Sequence, residues 1–258
     1  MDNRIGAQFF TIRDYTKTIE DFEESCKKVS KMGYKTVQIS AVPLDAKEIR
    51  PVLDKYGLSV VTTHRSFDDF VNDIDGIIEY NKTLGCDICG VGMMPTSYAE
   101  DNAKVSDFIS KANKACETLK KEGLYFGYHN HAFEFVKLDG KTIFDRLVEE
   151  TDQETFNFIA DVFWFQTGGK TPQDMIKQLG GRAMSVHFKD FAVKADEWRA
   201  PQFAEVGRGN LDWDKIIKAC EEAGTRWALV EQDSNWATGN PFDSLKASYK
   251  FLTTKGFC

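Results

Sequence analysis

Histidine is scarce in this chain: four residues in 258. Two of the four fall in one octet, Tyr128-His129-Asn130-His131-Ala132-Phe133-Glu134-Phe135, with a carboxylate just beyond them. Cysteine is sparse as well. The six thiols, Cys26, Cys86, Cys89, Cys116, Cys220 and Cys258, lack the density of a secreted disulfide scaffold. The one close pair, Cys86-Asp87-Ile88-Cys89, has no second pair to complete a zinc site, so buried reduced thiols are expected. No segment approaches the roughly 20 apolar residues of a membrane span. Asp2 and Arg4 interrupt the N-terminus, and no apolar signal-peptide core follows. No basic run offsets the net charge of −7, so a phosphate backbone would be bound against overall repulsion. These absences exclude nucleic acid and membrane as expected partners and make a cytoplasmic location the expectation, with a homo-oligomer left open. No stretch rich in Pro, Gly or Ser divides the chain, so one domain over residues 1–258 is expected.

What is present is alternation. Hydrophobic residues at 42% and charged residues at 28% describe an ordinary globular chain. Strand-like runs at Ile5–Phe10, Thr36–Ser40, Ser59–His64, Ile88–Met93, Leu124 to the histidine octet, Phe156–Asp161, Met184–Phe188 and Trp227–Glu231 alternate with helix-like runs. The helices are expected at Thr16–Met32, Asp45–Tyr56, Phe67–Leu84, Asp101–Lys121, Thr142–Glu150, Thr171–Leu179, Trp213–Ala223 and Pro241–Thr253. Gly33, Gly57, Gly85, Gly123 and Gly180 stand where helices stop, the position that favours a left-handed residue. About eight strand–helix units predict an α/β fold, a single (β/α)8 TIM barrel. An open doubly wound sheet usually carries a Gly-rich phosphate loop after its first strand, and Gln8-Phe9-Phe10-Thr11-Ile12-Arg13 has none.

In such barrels the reactive groups lie at the C-terminal ends of different strands. His64, the histidine octet, Asp161, His187 and Glu231 all fall at such ends. A lone strand-end carboxylate is more often a helix cap, and a lone buried histidine a satisfied core residue. Their joint occurrence at one barrel mouth points instead to a cation, since buried charge needs a partner or a metal. A set of two glutamates, an aspartate and one neutral imidazole is oxygen-rich and suits Mn²⁺ or Mg²⁺, with Zn²⁺ or Co²⁺ as alternatives. His129 and His131 share one face of an extended segment, with Tyr128 and Asn130 on the other.

Along nearly its full length the chain resembles the sugar phosphate isomerase/epimerase superfamily of xylose-isomerase-like barrels. The resemblance rests on the order and spacing of Gln8 to Asp14, Gly33 to Ser40, Gly127 to His131 with Glu134-Phe135, Asp161-Val162-Phe163-Trp164, His187-Phe188-Lys189-Asp190, Val206-Gly207-Arg208-Gly209 and Glu231-Gln232-Asp233. It implies one divalent metal, Mn²⁺ in first place, held by Glu134, Asp161, His187 and Glu231. Inosose-dehydratase-like members carry a glutamate between the two histidines; here Asn130 stands there, which shifts that ligand role to Glu134. The implied chemistry is isomerisation or epimerisation of a small sugar or keto-sugar by proton transfer alpha to a carbonyl, through an enediolate. Glu134 and Glu231 would act as base and acid and Lys189 as donor to the enediolate oxygen. His64, His129, Arg208 and Trp164 would contact substrate. A dehydratase or lyase on a keto-sugar or keto-inositol shares the first step. A sugar-binding or partner barrel is the alternative outside catalysis.

Overall fold

The computed structural model describes residues 1–258. Eight strands close a barrel: β1 (Gly6–Gln8), β2 (Thr36–Ile39), β3 (Ser59–Arg65), β4 (Ile88–Val91), β5 (Tyr125–His129), β6 (Phe156–Asp161), β7 (Ala183–Phe188) and β8 (Trp227–Val230). Each pairs in parallel with its sequence neighbours, and β8 returns to β1. The (β/α)8 expectation therefore holds. The outer layer contains α1 (Ile19–Met32), α2 (Ala46–Lys55), α3 (Phe67–Asn72), α4 (Ile74–Leu84), α5 (Asn102–Lys121), α6 (Ile143–Glu150), α7 (Val162–Thr167), α8 (Pro172–Leu179), α9 (Trp213–Ala223) and α10 (Pro241–Thr253).

Local chemistry explains these boundaries. Thr18 caps α1 by accepting from Asp21 N, and Gly33 closes it at φ 115°, a conformation costly for any other residue. Asp45 and Glu48 form a reciprocal capping box at the start of α2. The helix expected over 67–84 is broken at Asp73, which ends α3 and caps α4 through its own side chain. The first strand is shorter than expected, because Gln8 caps a 3-10 turn over Phe9–Tyr15. The fifth strand stops at His129, so Asn130 and His131 lie on the loop beyond it. Helix α7 was not foreseen; Asp161 both ends β6 and starts this helix.

Side-chain alternation sorts the strands into two layers. On β7, Phe188 packs outward against Trp213 and Phe257, so His187 and Ser185 face the barrel interior. On β5 and β6, Phe126, Tyr128, Phe156 and Phe158 form one aromatic cluster. That cluster leaves His129 and Asp161 on the opposite, inward face. Burial of these aromatic rings is the main favourable term holding helices to barrel. Cys86 and Cys89 are buried, and burial pushes the Cys86 thiol up to about 12, which fits an inert thiol rather than a redox pair.

Candidate active site

The inward face of β5, β6, β7 and the end of β8 brings together His129, Asp161, His187 and Glu231. One donor atom from each lies within 4.8 Å of all the others, and all four residues are buried. The carboxylate of Asp161 is divided between two tasks. Its Oδ1 accepts from Phe163 N at 2.9 Å and Trp164 N at 3.1 Å, capping α7. Its Oδ2 turns inward, 3.2 Å from His129 Nε2 and 3.6 Å from His187 Nδ1. One carboxylate thus caps a helix with one oxygen and turns the other into the cluster. Asn130 adds support from behind by accepting from Asp161 N at 2.9 Å.

Both imidazoles are held from outside. Gln38 Oε1 lies 2.8 Å from His187 Nε2 and the carbonyl of Gly92 lies 2.9 Å from His129 Nδ1. An amide or carbonyl oxygen only accepts, so each of these ring nitrogens carries the proton. The inward nitrogens, His187 Nδ1 and His129 Nε2, would present lone pairs to a common point once a cation displaces any proton they carry. His187 Nδ1 and Glu231 Oε2 are both buried and lack any aligned hydrogen bond, although they lie 2.8 Å apart. Two imidazoles with fixed outer protons and two inward carboxylate oxygens make a donor set that fits a divalent cation.

Lys189 enters the same space. Its Nζ lies 3.2 Å from Asp161 Oδ2, 3.0 Å from Glu231 Oε2 and 3.0 Å from Asp233 Oδ2. Burial works against the ammonium, but the three carboxylates hold its pKa above the ordinary lysine value. Burial likewise would raise Glu231 and Asp161, yet Lys189 and the imidazoles hold both well below the usual carboxylate range. His187 would be lowered by burial, but Glu231 and Asp161 raise it to about 9.

Beside this cluster opens a cavity of about 540 Å³, lined by Phe10, Ser40, His64, Arg65, Gly92, Met93, His129, His131, Lys189, Glu231 and Asp233 among others. His64 and His131 line it, and His64 Nε2 and His131 Nδ1 are buried without a partner. Burial first, and neighbouring histidines next, push His64 well below its ordinary value. Burial and then His129 push His131 down to about 3, so both rings are neutral acceptors.

The structure redistributes the expected roles. Asp161, His187 and Glu231 converge as the resemblance implied, but Glu134 is not with them. It sits on the 3-10 turn Phe133–Phe135, fully buried, accepting from Tyr128 Oη at 2.7 Å and His131 N at 2.9 Å. His129 takes the fourth place in the cluster, having been expected only to contact substrate. The reason is backbone geometry: β5 ends at His129, and the following loop turns Glu134 back toward Tyr128. Burial raises Glu134 to about 7 against the opposing hydrogen bond from Tyr128. Lys189 and His64 lie at the cavity as expected. Trp164 does not line it but lies behind, its ring 5.3 Å from Lys189 Nζ and 5.2 Å from the His131 ring. Arg208 is apart from it, 61% exposed and 3.9 Å from Glu205. Phe10 borders the cavity, whereas its neighbour Phe9 is in the core. Sequence reasoning missed Gln38 and Asp233 as site residues. The available signal was an amide inside the apolar run of β2, and a second acid two residues after Glu231.

A closed parallel barrel with buried imidazoles and carboxylates at its C-terminal mouth defines a (β/α)8 protein with an enzyme-like polar centre. The sequence profile of the xylose isomerase-like TIM barrels matches residues 26–255, and the chain belongs to that family. Among its relatives, the inosose dehydratase of Lacticaseibacillus casei is 21% identical over 265 residues, covering 90% of this chain and 88% of that protein. An inosose dehydratase of Bacillus cereus is 25% identical over 206 residues, covering 72% and 67%. A solved sugar phosphate isomerase/epimerase from Parabacteroides distasonis superposes with a TM-score of 0.80 at 19% identity, covering 97% and 93%. A xylose isomerase-like TIM barrel from Mycobacterium smegmatis, solved in complex with magnesium, has a TM-score of 0.73 at 12% identity, covering 97% of each chain. No helix of this chain is long and apolar enough to cross a membrane.

Proposed function

We propose that this chain is a divalent-metal-dependent lyase that removes a proton alpha to the carbonyl of a small polyhydroxylated ketone and then eliminates water. His129, Asp161, His187 and Glu231 are the residues that would hold the metal. When bound, it would polarise the carbonyl oxygen and so acidify the neighbouring C–H.

The observation that carries elimination over epimerisation is the position of Glu134. Inverting a carbon centre with two glutamates requires a second carboxylate facing Glu231 across the substrate. Glu134 is fully buried, does not line the cavity, and has its two oxygens engaged by Tyr128 and His131. The imidazole of His131 lines the cavity in its place. This ring takes the alpha proton and passes it to the departing beta hydroxyl. One C–H and one C–O bond break, a C=C bond forms, and one water leaves. Lys189 donates to the oxygen on which negative charge develops, and its burial strengthens that interaction. Ser40 and Asp233 at the cavity supply polar contacts for hydroxyls, and Phe10 a ring face for C–H. The names of the inosose dehydratase relatives support a keto-polyol as substrate.

The test is incubation of Mn²⁺-loaded protein in D2O with an inosose and a panel of keto-sugars, followed by NMR and ultraviolet absorption. Alpha-deuterium exchange with a growing conjugated-enone absorbance supports the lyase. Exchange with interconversion of sugars and no loss of water would replace it with the isomerase/epimerase reading. Saturable sugar binding without exchange would leave a binding or partner barrel.

A further inference from the structure

Resting on the metal-site reading above, we propose that Lys189 is a resident counter-ion that moves between two carboxylate positions, so that Lys189 and Asp233 together set the affinity of the site for its metal. The geometry is specific. Lys189 Nζ contacts the very oxygens of Asp161 and Glu231 that face the imidazoles, Oδ2 and Oε2. A cation in the quartet must use those same oxygens. An ammonium 3.0–3.2 Å from both would sit beside the incoming ion, where like charges repel. Lys189 therefore has to lean away as the metal enters.

The structure provides the place to lean. Asp233 already accepts from Lys189 at Oδ2, 3.0 Å away, while its Oδ1 is buried without a partner. That spare oxygen can take a second ammonium hydrogen when Asp161 and Glu231 are engaged elsewhere. Charge balance agrees. Three carboxylates surround one ammonium, and a divalent cation in the quartet brings the group to neutrality, so metal and ammonium are complementary once separated. The arrangement also accounts for a lysine buried to 2% side-chain exposure beside a donor set that suits a metal.

The two residues therefore act on metal affinity in opposite directions, which a purely structural role for either would not produce. The experiment is calorimetric titration of chelator-stripped protein with Mn²⁺ alone, on wild type, Lys189→Met, Asp233→Asn and the double variant. Circular dichroism checks folding, and Lys189→Gln replaces Lys189→Met if the latter does not fold. Removing the competing charge is expected to tighten Mn²⁺ binding by about tenfold or more. Asp233→Asn, which traps the ammonium on Asp161 and Glu231, is expected to weaken binding by about threefold or more, an effect that shrinks by over half without Lys189. Wild-type binding with unchanged or weaker affinity in Lys189→Met would overturn the proposal while leaving the metal site intact. An equal Asp233→Asn effect with and without Lys189 would overturn the hand-over. A wild-type chain that takes up no Mn²⁺ would overturn the metal-site reading itself.

Discussion

His187 Nδ1 and Glu231 Oε2 lie 2.8 Å apart in the barrel interior without the alignment of a hydrogen bond, while Gln38 Oε1 fixes the far side of the same ring at 2.8 Å. The imidazole is thus oriented by an amide on β2, three strands around the barrel and 149 residues away in sequence. That amide is expected to matter to the site without touching substrate. Replacing it with leucine keeps the volume and removes the acceptor, so Gln38→Leu should weaken divalent-metal binding by about 10- to 100-fold. Titration with Mn²⁺ checks this, with circular dichroism to confirm the fold.

Metal content distinguishes the ligand set read from the resemblance from the one the structure assembles. Protein purified without chelator is expected to carry about one divalent ion per chain, as a single four-donor site requires. His129→Ala, His187→Ala and Glu231→Gln should lose it. Glu134→Gln should keep it, because its carboxylate is turned to Tyr128 and His131. Elemental analysis of the five proteins decides, and loss of metal from Glu134→Gln alone would restore Glu134 as a ligand.

In the metal-stripped protein Glu134 and His187 each lose stability as pH rises, whereas His64 and His131, both pushed down, gain it as pH rises to the ordinary histidine range and oppose the Glu134 loss there. Glu134 is raised from 4.5 to about 7, so its protonated form is favoured by folding. That contribution is complete below pH 4.5 and is lost as pH climbs through 7. His187, raised from 6.5 to about 9, contributes fully below 6.5 and loses its share as pH passes 9. Each loss is worth at most roughly 3 kcal/mol. Denaturant melts between pH 5 and 9 should show the His187 loss directly and the Glu134 loss as the difference between wild type and Glu134→Gln. Mn²⁺ should flatten the His187 loss, because a ligating imidazole must already be neutral.

Close approach at the barrel interior predicts a further effect. A Cβ added at Gly90 on β4 would lie 2.2 Å from the Thr63 carbonyl and 2.8 Å from Ile159 Cδ1. Backbone on β3 cannot yield without disturbing His64, whose ring would be 3.0 Å away. Gly90→Ala should therefore destabilise the fold by about 1–3 kcal/mol, and thermal melts read the change.

The barrel was legible in the chain because its signals are local. Apolar runs of strand length, glycine stops and capping residues such as Thr18 and Asp45 act within a turn or two of the backbone. Hence all eight strands lie where the sequence predicted, with errors confined to ends and breaks. The division of Phe67–Leu84 at Asp73 and the helix begun by Asp161 arise where one side chain competes for backbone donors, which periodicity does not register.

The site was legible only in part, for a related reason. Sequence alone determined which strands end in imidazole or carboxylate, and so placed Asp161, His187 and Glu231 at one mouth. Which fourth residue joins them, His129 rather than Glu134, depends on where β5 stops and how the next loop turns. The pairing of Gln38 with His187, and of Lys189 with Asp161, Glu231 and Asp233, depends on closure of the barrel. Those contacts join residues on different strands, and a linear pattern carries no record of distance across the barrel. Local chemistry dictated the elements; the convergence of inward-facing side chains in a closed, water-poor interior decided what they can hold.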